Sequence, residues 1–107
     1  MSRTRVLIVD DHAVLRGGLR LLIDAQPDMH VVGEAGNLSE AIEIARTAHP
    51  DVVTLDLAMP GSSGVAAIER LRSTAPAARI VVLTMHDDPA YVRAAVALNV
   101  AGKQKGS

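Results

Sequence analysis

Four polar residues stand where aliphatic runs stop. Asp10 and Asp11 follow Val6-Leu7-Ile8-Val9, Asp56 follows Leu55, and Thr84 follows Ile80-Val81-Val82-Leu83. Brought to one rim, three carboxylates repel one another and need a counterion. A hard divalent cation answers that need, and Mg²⁺ suits one or two carboxylates with waters, a carbonyl and phosphate oxygens. A phosphoryl group bound to such a cation, beside a carboxylate, is set for forming an aspartyl phosphate. The Thr84 hydroxyl can donate to a phosphoryl oxygen. Each residue alone has an ordinary explanation, because Asp after a strand commonly serves as a turn residue or a helix N-cap. Asp11 can cap the helix that follows, and Thr84 can start a loop. The joint pattern on three runs is harder to reach by chance, so the functional reading leads for the set.

The elements that would position these residues alternate. Val6–Val9 is apolar at every position, as in a strand buried on both faces of a parallel sheet. Leu15, Leu19, Leu22 and Ile23 then repeat as one face of a helix over residues 12–26, weakened by Gly17 and Gly18 and ended by Pro27. A second strand over residues 30–35 contains Gly33 and Glu34, which suggest an edge. Asn37 three residues before Glu40 marks a helix start close to a capping box, with Leu38, Ala41, Ile42 and Ala45 as the stripe and Pro50 as the stop. A third strand over residues 51–55 reaches Asp56. The loop Met59-Pro60-Gly61-Ser62-Ser63-Gly64 leads to a helix with Val65, Ile68 and Leu71 inward, and Pro76 stops it. Residues 80–83 form a fourth buried strand. Asp88-Pro89 starts a fourth helix, with Val92, Ala95 and Val96 inward. The order βαβαβαβα implies an α/β, doubly wound parallel sheet with helices on both faces. Ligands of such sheets bind outside the carboxyl ends of the strands.

Composition bounds the rest. The 107 residues carry 11 Lys+Arg and 12 Asp+Glu, a net charge of −1. That length fits one domain. Near-neutral charge argues against coating nucleic acid or an anionic membrane. The chain has no cysteine, so disulfides, thiolate catalysis and Cys-based zinc sites are excluded. The first apolar run is too short for a signal core or a membrane span, which implies a cytoplasmic protein. Tyr91 is the one aromatic residue, so the core must be aliphatic and base-stacking platforms are ruled out. His12, His30, His49 and His86 form no i, i+4 pair and no Cys/His cluster, which argues against zinc. His12 and His86 lie near the acidic residues and can tune access or serve as plain cap and loop residues. Arg16, Arg20 and Asp24 share one helix face, which is either solvated or a partner surface. No Gly-x-x-x-x-Gly-Lys-Ser/Thr occurs, so a P-loop nucleotidase is rejected.

Three segments carry a family resemblance: Val6-Leu7-Ile8-Val9-Asp10-Asp11-His12, Asp56-Leu57-Ala58-Met59-Pro60-Gly61 with Gly64, and Val81-Val82-Leu83-Thr84-Met85-His86. Together they resemble a response-regulator receiver domain of the NarL/FixJ (LuxR-type) subfamily, over residues 4–100. The resemblance implies a flavodoxin-like sheet of order 2-1-3-4-5. It implies that Asp56 accepts a phosphoryl group from the phosphohistidine of a sensor histidine kinase. Mg²⁺ would be held by Asp10, Asp11, Asp56 and the backbone carbonyl of Ala58, and Thr84 would be the switch hydroxyl. The first helix is where such domains dock the kinase. The chain is then a two-component signalling switch rather than a turnover enzyme, read as a single receiver domain over residues 1–107.

Two expected residues do not fall in place. Counting from Thr84, the switch aromatic falls on Lys103 and the phosphate-pairing lysine on Gly106, with Lys105 one position early. Lys105 is therefore the out-of-register candidate for that lysine. The end, Val100-Ala101-Gly102-Lys103-Gln104-Lys105-Gly106-Ser107, cannot form a strand buried on both faces. The fifth strand is expected to be degraded or missing, and the fifth helix absent. That motivates an alternative: a receiver-like interaction module with impaired switching, forming a homo-oligomer through the exposed C-terminal edge. A third class, an aspartyl phosphatase, expects Asp-x-Asp after the first strand, whereas Asp10 and Asp11 are adjacent. No direct nucleic-acid binding is expected; relatives usually carry a separate DNA-binding domain.

Overall fold

The computed structural model describes residues 3–56 and 64–83. Its elements run β1 (Thr4–Val9), α1 (Ala13–Asp24), β2 (Met29–Ala35), α2 (Leu38–Ala48), β3 (Val52–Asp56), α3 (Gly64–Thr74) and β4 (Arg79–Leu83). The four strands form one sheet in the order β2-β1-β3-β4, all adjacent pairs parallel. This is the expected α/β doubly wound arrangement. The expected fourth helix, fifth strand and C-terminal edge lie outside the described residues.

Strand alternation sorts the core into two layers. Val6, Ile8, Met29, Val31, Val52 and Val81 pack against Leu19 and Ile23 of α1, with Leu15 partly buried beside them. Leu7, Val9, Ala35, Val53 and Leu55 pack on the other face against Ala41, Ile42 and Ala45 of α2 and Ala67 and Leu71 of α3. All ten of the largest fully buried side chains are Leu, Ile or Val, as an aliphatic composition requires. The expected full burial of β4 holds for Val81 but not for Ile80, which is half-buried, nor for Val82, which is 39% exposed. β4 has one strand neighbour among the described residues.

β2 is an edge strand among the described residues, as Gly33 and Glu34 suggested. Its register with β1 slips between Val6↔Val31 and Leu7↔Gly33, so Val32 is the extra residue of a bulge. Gly33 is required there by space: a Cβ would stand 2.6 Å from Ile44 Cγ2. Asn37 caps α2 by accepting the Glu40 backbone N–H at 2.8 Å, and Glu40 Oε1 accepts the Gly36 N–H at 2.8 Å. The second bond reaches one residue beyond the cap of a standard box. The helix ends on His49, whose φ of 51° is left-handed, and Pro50 follows. Arg5 Nε and Nη2 donate to the Ala48 carbonyl at 3.1 and 2.6 Å, placing a cation on the helix C-terminus.

Candidate acidic site at the strand ends

Register brings the first two carboxylates together. Val9 of β1 is level with Leu55 of β3, so the next residues, Asp10 and Asp56, arrive at the same rim. Both are buried, at 0% and 1% exposure. The Asp10 N–H donates to the Ala35 carbonyl at 3.0 Å, which extends the β1–β2 ladder past the strand end. Asp11 takes the next position, with its side chain 32% exposed. It does not cap α1: His12 occupies the N-cap position and makes no side-chain capping bond.

His12 folds back onto the rim instead. Its backbone N–H donates to Asp10 Oδ1 at 2.8 Å, and Nδ1 lies 2.9 Å from the same oxygen. Nδ1 is also 3.1 Å from Asp11 Oδ1 and 4.0 Å from Asp56 Oδ2. The hydrogen bond to Asp10 raises the imidazole pKa above its usual 6.5, the charges of Asp11 and Asp10 add to this, and the opposing desolvation outweighs only the weaker charge effect of Asp56. One ligand atom from each of Asp10, Asp11, His12 and Asp56 lies within 4.8 Å of the others. Asp10 Oδ2 is buried with no hydrogen-bond partner among the described residues. Hard carboxylate oxygens at this spacing, one buried and unsatisfied, fit a divalent cation.

A second tier holds the rim from behind. Arg16 Nη1 donates to the Asp10 backbone carbonyl, and its Nε lies 3.4 Å from Glu34 Oε1. Arg20 Nη1 donates to Glu34 Oε2 at 2.9 Å and its Nε is 3.7 Å from Asp24. The Arg16, Arg20, Asp24 face, expected to be solvated or free for a partner, is thus tied to β2 through Glu34. The outward apolar residues of α1 are Val14 and Leu21, at 91% and 75% exposure. Glu34 gave no signal in the sequence beyond marking an edge, because its partners lie a helix away.

The family model for the response regulator receiver domain matches residues 6–103. The chain belongs to the response-regulator receiver domain family. The receiver is 44% identical over 80 residues to the nitrate/nitrite response regulator protein NarL of Escherichia coli (strain K12), a match covering 75% of this chain and 37% of NarL. Among solved structures, a LuxR-family two-component response regulator from an Aurantimonas species superposes with a TM-score of 0.71 at 40% identity, covering 90% of this chain and 69% of that one. The isolated receiver domain of RcsB from Salmonella enterica serovar Typhimurium, solved with the phosphomimetic BeF3−, gives 0.71 at 30% identity, covering 92% and 73%. These relatives make it a receiver of the NarL/LuxR type, and several are transcriptional regulatory proteins. The chain spans less than half the length of the curated relatives it matches.

Of the residues singled out in the sequence, the receiver brings together Asp10, Asp11, Asp56 and His12. Ala58, Pro60, Gly61, Thr84, His86, Tyr91, Lys103 and Lys105 lie outside the described residues. His30 and His49 stand apart from the site; His30 Nδ1 lies 3.6 Å from Asp24. No described helix is long and apolar enough to cross a membrane.

Proposed function

We propose that this receiver, over residues 1–107, accepts a phosphoryl group on Asp56 from a sensor histidine kinase and acts as a cytoplasmic two-component switch. The observation that carries the reading is the convergence of Asp10, Asp11 and Asp56 at the carboxyl ends of two adjacent parallel strands. Asp10, Asp11 and Asp56, with the Ala58 carbonyl, would hold Mg²⁺, which when bound supplies positive charge for the phosphoryl oxygens. An Asp56 carboxylate oxygen attacks phosphorus, the new O–P bond forms, and the P–N bond to the donor imidazole breaks with its electron pair on nitrogen. The carboxylate is rigidly held, since β3 is buried along its whole length. Thr84 follows Leu83, the register partner of Asp56, which supports its role as the hydroxyl that meets the phosphoryl group. Lys105 is the candidate for pairing with that group. The domain is a phosphoacceptor rather than a turnover enzyme. It binds no nucleic acid itself; a DNA-binding output would belong to a separate domain.

The test is intact mass after incubation with phosphoramidate, a small P–N phosphodonor. A gain of one phosphoryl group that needs Mg²⁺ and disappears in Asp56→Asn is expected. No gain, or a gain that persists in Asp56→Asn, refutes the reading.

One observation favours a second reading, association through the β4 side of the sheet: Val82 is 39% exposed on a strand with one described neighbour. Light scattering over a wide concentration range should then show a homo-oligomer, and a monomer at every concentration refutes it.

A further inference from the structure

We propose that His12 is a direct nitrogen ligand in the acidic site, so that the site holds a borderline divalent transition cation more tightly than Mg²⁺. The inference rests on the reading of Asp10, Asp11 and Asp56 as a cation site and names a ligand which that reading does not include. Two bonds from one residue onto one oxygen fix the ring: the His12 N–H at 2.8 Å and Nδ1 at 2.9 Å from Asp10 Oδ1. Nδ1 is aimed at the carboxylates, not at solvent, although the side chain is 64% exposed. The ring is therefore reachable, and its donor nitrogen faces inward.

The spacings suit coordination. Ligand bonds of about 2.1 Å put neighbouring donors of an octahedron roughly 3.0 Å apart and opposite donors roughly 4.2 Å apart. Nδ1 stands 2.9 and 3.1 Å from Asp10 Oδ1 and Asp11 Oδ1, and 4.0 Å from Asp56 Oδ2. Two of these are neighbouring-donor distances, and the third is close to the opposite-donor distance. A second observation points the same way. Asp10 is fully buried, and its Oδ2 has no hydrogen-bond partner among the described residues, so one more carboxylate oxygen stands ready beside the set. Mixed imidazole and carboxylate donors select differently from carboxylates alone. Mg²⁺ strongly prefers oxygen, whereas Co²⁺, Ni²⁺ and Zn²⁺ gain from an imidazole nitrogen.

The experiment uses the metal-free full chain at about pH 8, on the basic side of the ordinary imidazole range, where a cation competes best with the ring proton. Calorimetric titrations with Co²⁺ and with Mg²⁺ are run on the wild type and on His12→Ser, a substitution that favours the N-cap position. Expected is a Co²⁺ affinity lower by on the order of 10-fold or more in His12→Ser, the scale seen for losing even a supporting partner of a metal ligand. Mg²⁺ affinity should change by less than about 3-fold, because Mg²⁺ keeps its oxygen ligands. Pulsed EPR of the Mn²⁺-loaded wild type should show ¹⁴N modulation from a directly bound imidazole. The EPR result decides the matter without any variant, should His12→Ser fail to fold. Equal losses for both cations, no loss for Co²⁺, or no nitrogen modulation overturns the inference while Mg²⁺ binding leaves the carboxylate site standing. A wild type that binds neither cation overturns both.

Discussion

Replacing Asp10 by asparagine removes a charge from the most crowded point of the rim while keeping its shape. Asn Oδ1 can still accept the His12 N–H that Asp10 Oδ1 accepts at 2.8 Å. The ligand atoms of the cluster lie within 4.8 Å of one another. Two unit charges at that separation repel by about 3.5 kcal/mol at an effective dielectric constant of about 20. The Asp10 carboxylate faces two carboxylates, Asp11 and Asp56, and among the described residues one cation bonds to it directly, His12 when protonated. One attraction offsets one repulsion, and a single uncompensated repulsion remains. Solvent at Asp11 and His12, whose side chains are 32% and 64% exposed, screens part of it. The net relief is about 1–3 kcal/mol. Asp10→Asn should therefore be more stable than the wild type without metal, with a Tm higher by about 4 °C or more. Metal reverses the comparison. A cation at 100 times its Kd stabilises the wild type by about 2.7 kcal/mol, and the variant, short of a buried carboxylate ligand, should gain little. Thermal and urea unfolding with and without Mg²⁺ measure both effects. A metal-free variant less stable than the wild type, or one that gains as much from Mg²⁺, refutes the electrostatic account of this site.

Two glycines should respond in opposite ways to alanine. Gly17→Ala on α1 meets nothing within 4 Å and should stabilise by about 1 kcal/mol through helix propensity. Gly33→Ala would drive a Cβ to 2.6 Å from Ile44 Cγ2 and should cost about 1–3 kcal/mol by overpacking. Urea midpoints check both. His49→Gly relieves a left-handed φ of 51° and should stabilise by about 0.5–1 kcal/mol once glycine's larger chain entropy is deducted. The raised pKa of His12 makes its contribution to the metal-free protein fully present below about pH 6.5 and lost as pH rises through the folded value. The urea midpoint should fall as pH rises above about 6.5 in the wild type, with a shallower decline in His12→Gln. An equal decline in the two proteins would refute the assignment to His12.

The periodic parts of this fold were legible because burial leaves a period. Val6–Val9, apolar at every position, is buried throughout, and the Leu15, Leu19, Ile23 stripe of α1 faces the sheet as spaced. Asn37 and Glu40 announced the start of α2, since capping is local and needs no distant partner. Asp10, Asp11 and Asp56 were singled out because parallel strands deliver their last residues to one edge. Long-range polar partnerships were not legible. Arg16 and Arg20 read as a free helix face, yet both meet Glu34 on β2. Neither hydropathy nor spacing along α1 carries information about a carboxylate on another strand.

Residue order alone determined the alternation of strands and helices, the aliphatic core and the sites where carboxylates leave their strands. Those follow from local periodicity, from turn and cap chemistry, and from composition. Tertiary structure decided how the carboxylates meet. The register of Val9 with Leu55 sets Asp10 level with Asp56, and the backbone of His12 turns its ring onto both aspartates of the first pair. In the sequence His12 lacked a metal-ligand spacing, because the groups it joins come from two strands separated by two helices. A histidine that could be read as a plain cap residue thereby becomes the one nitrogen donor among three carboxylates in this cluster. Register and loop direction are properties of the assembled sheet, and they convert an acidic rim into a mixed-donor site.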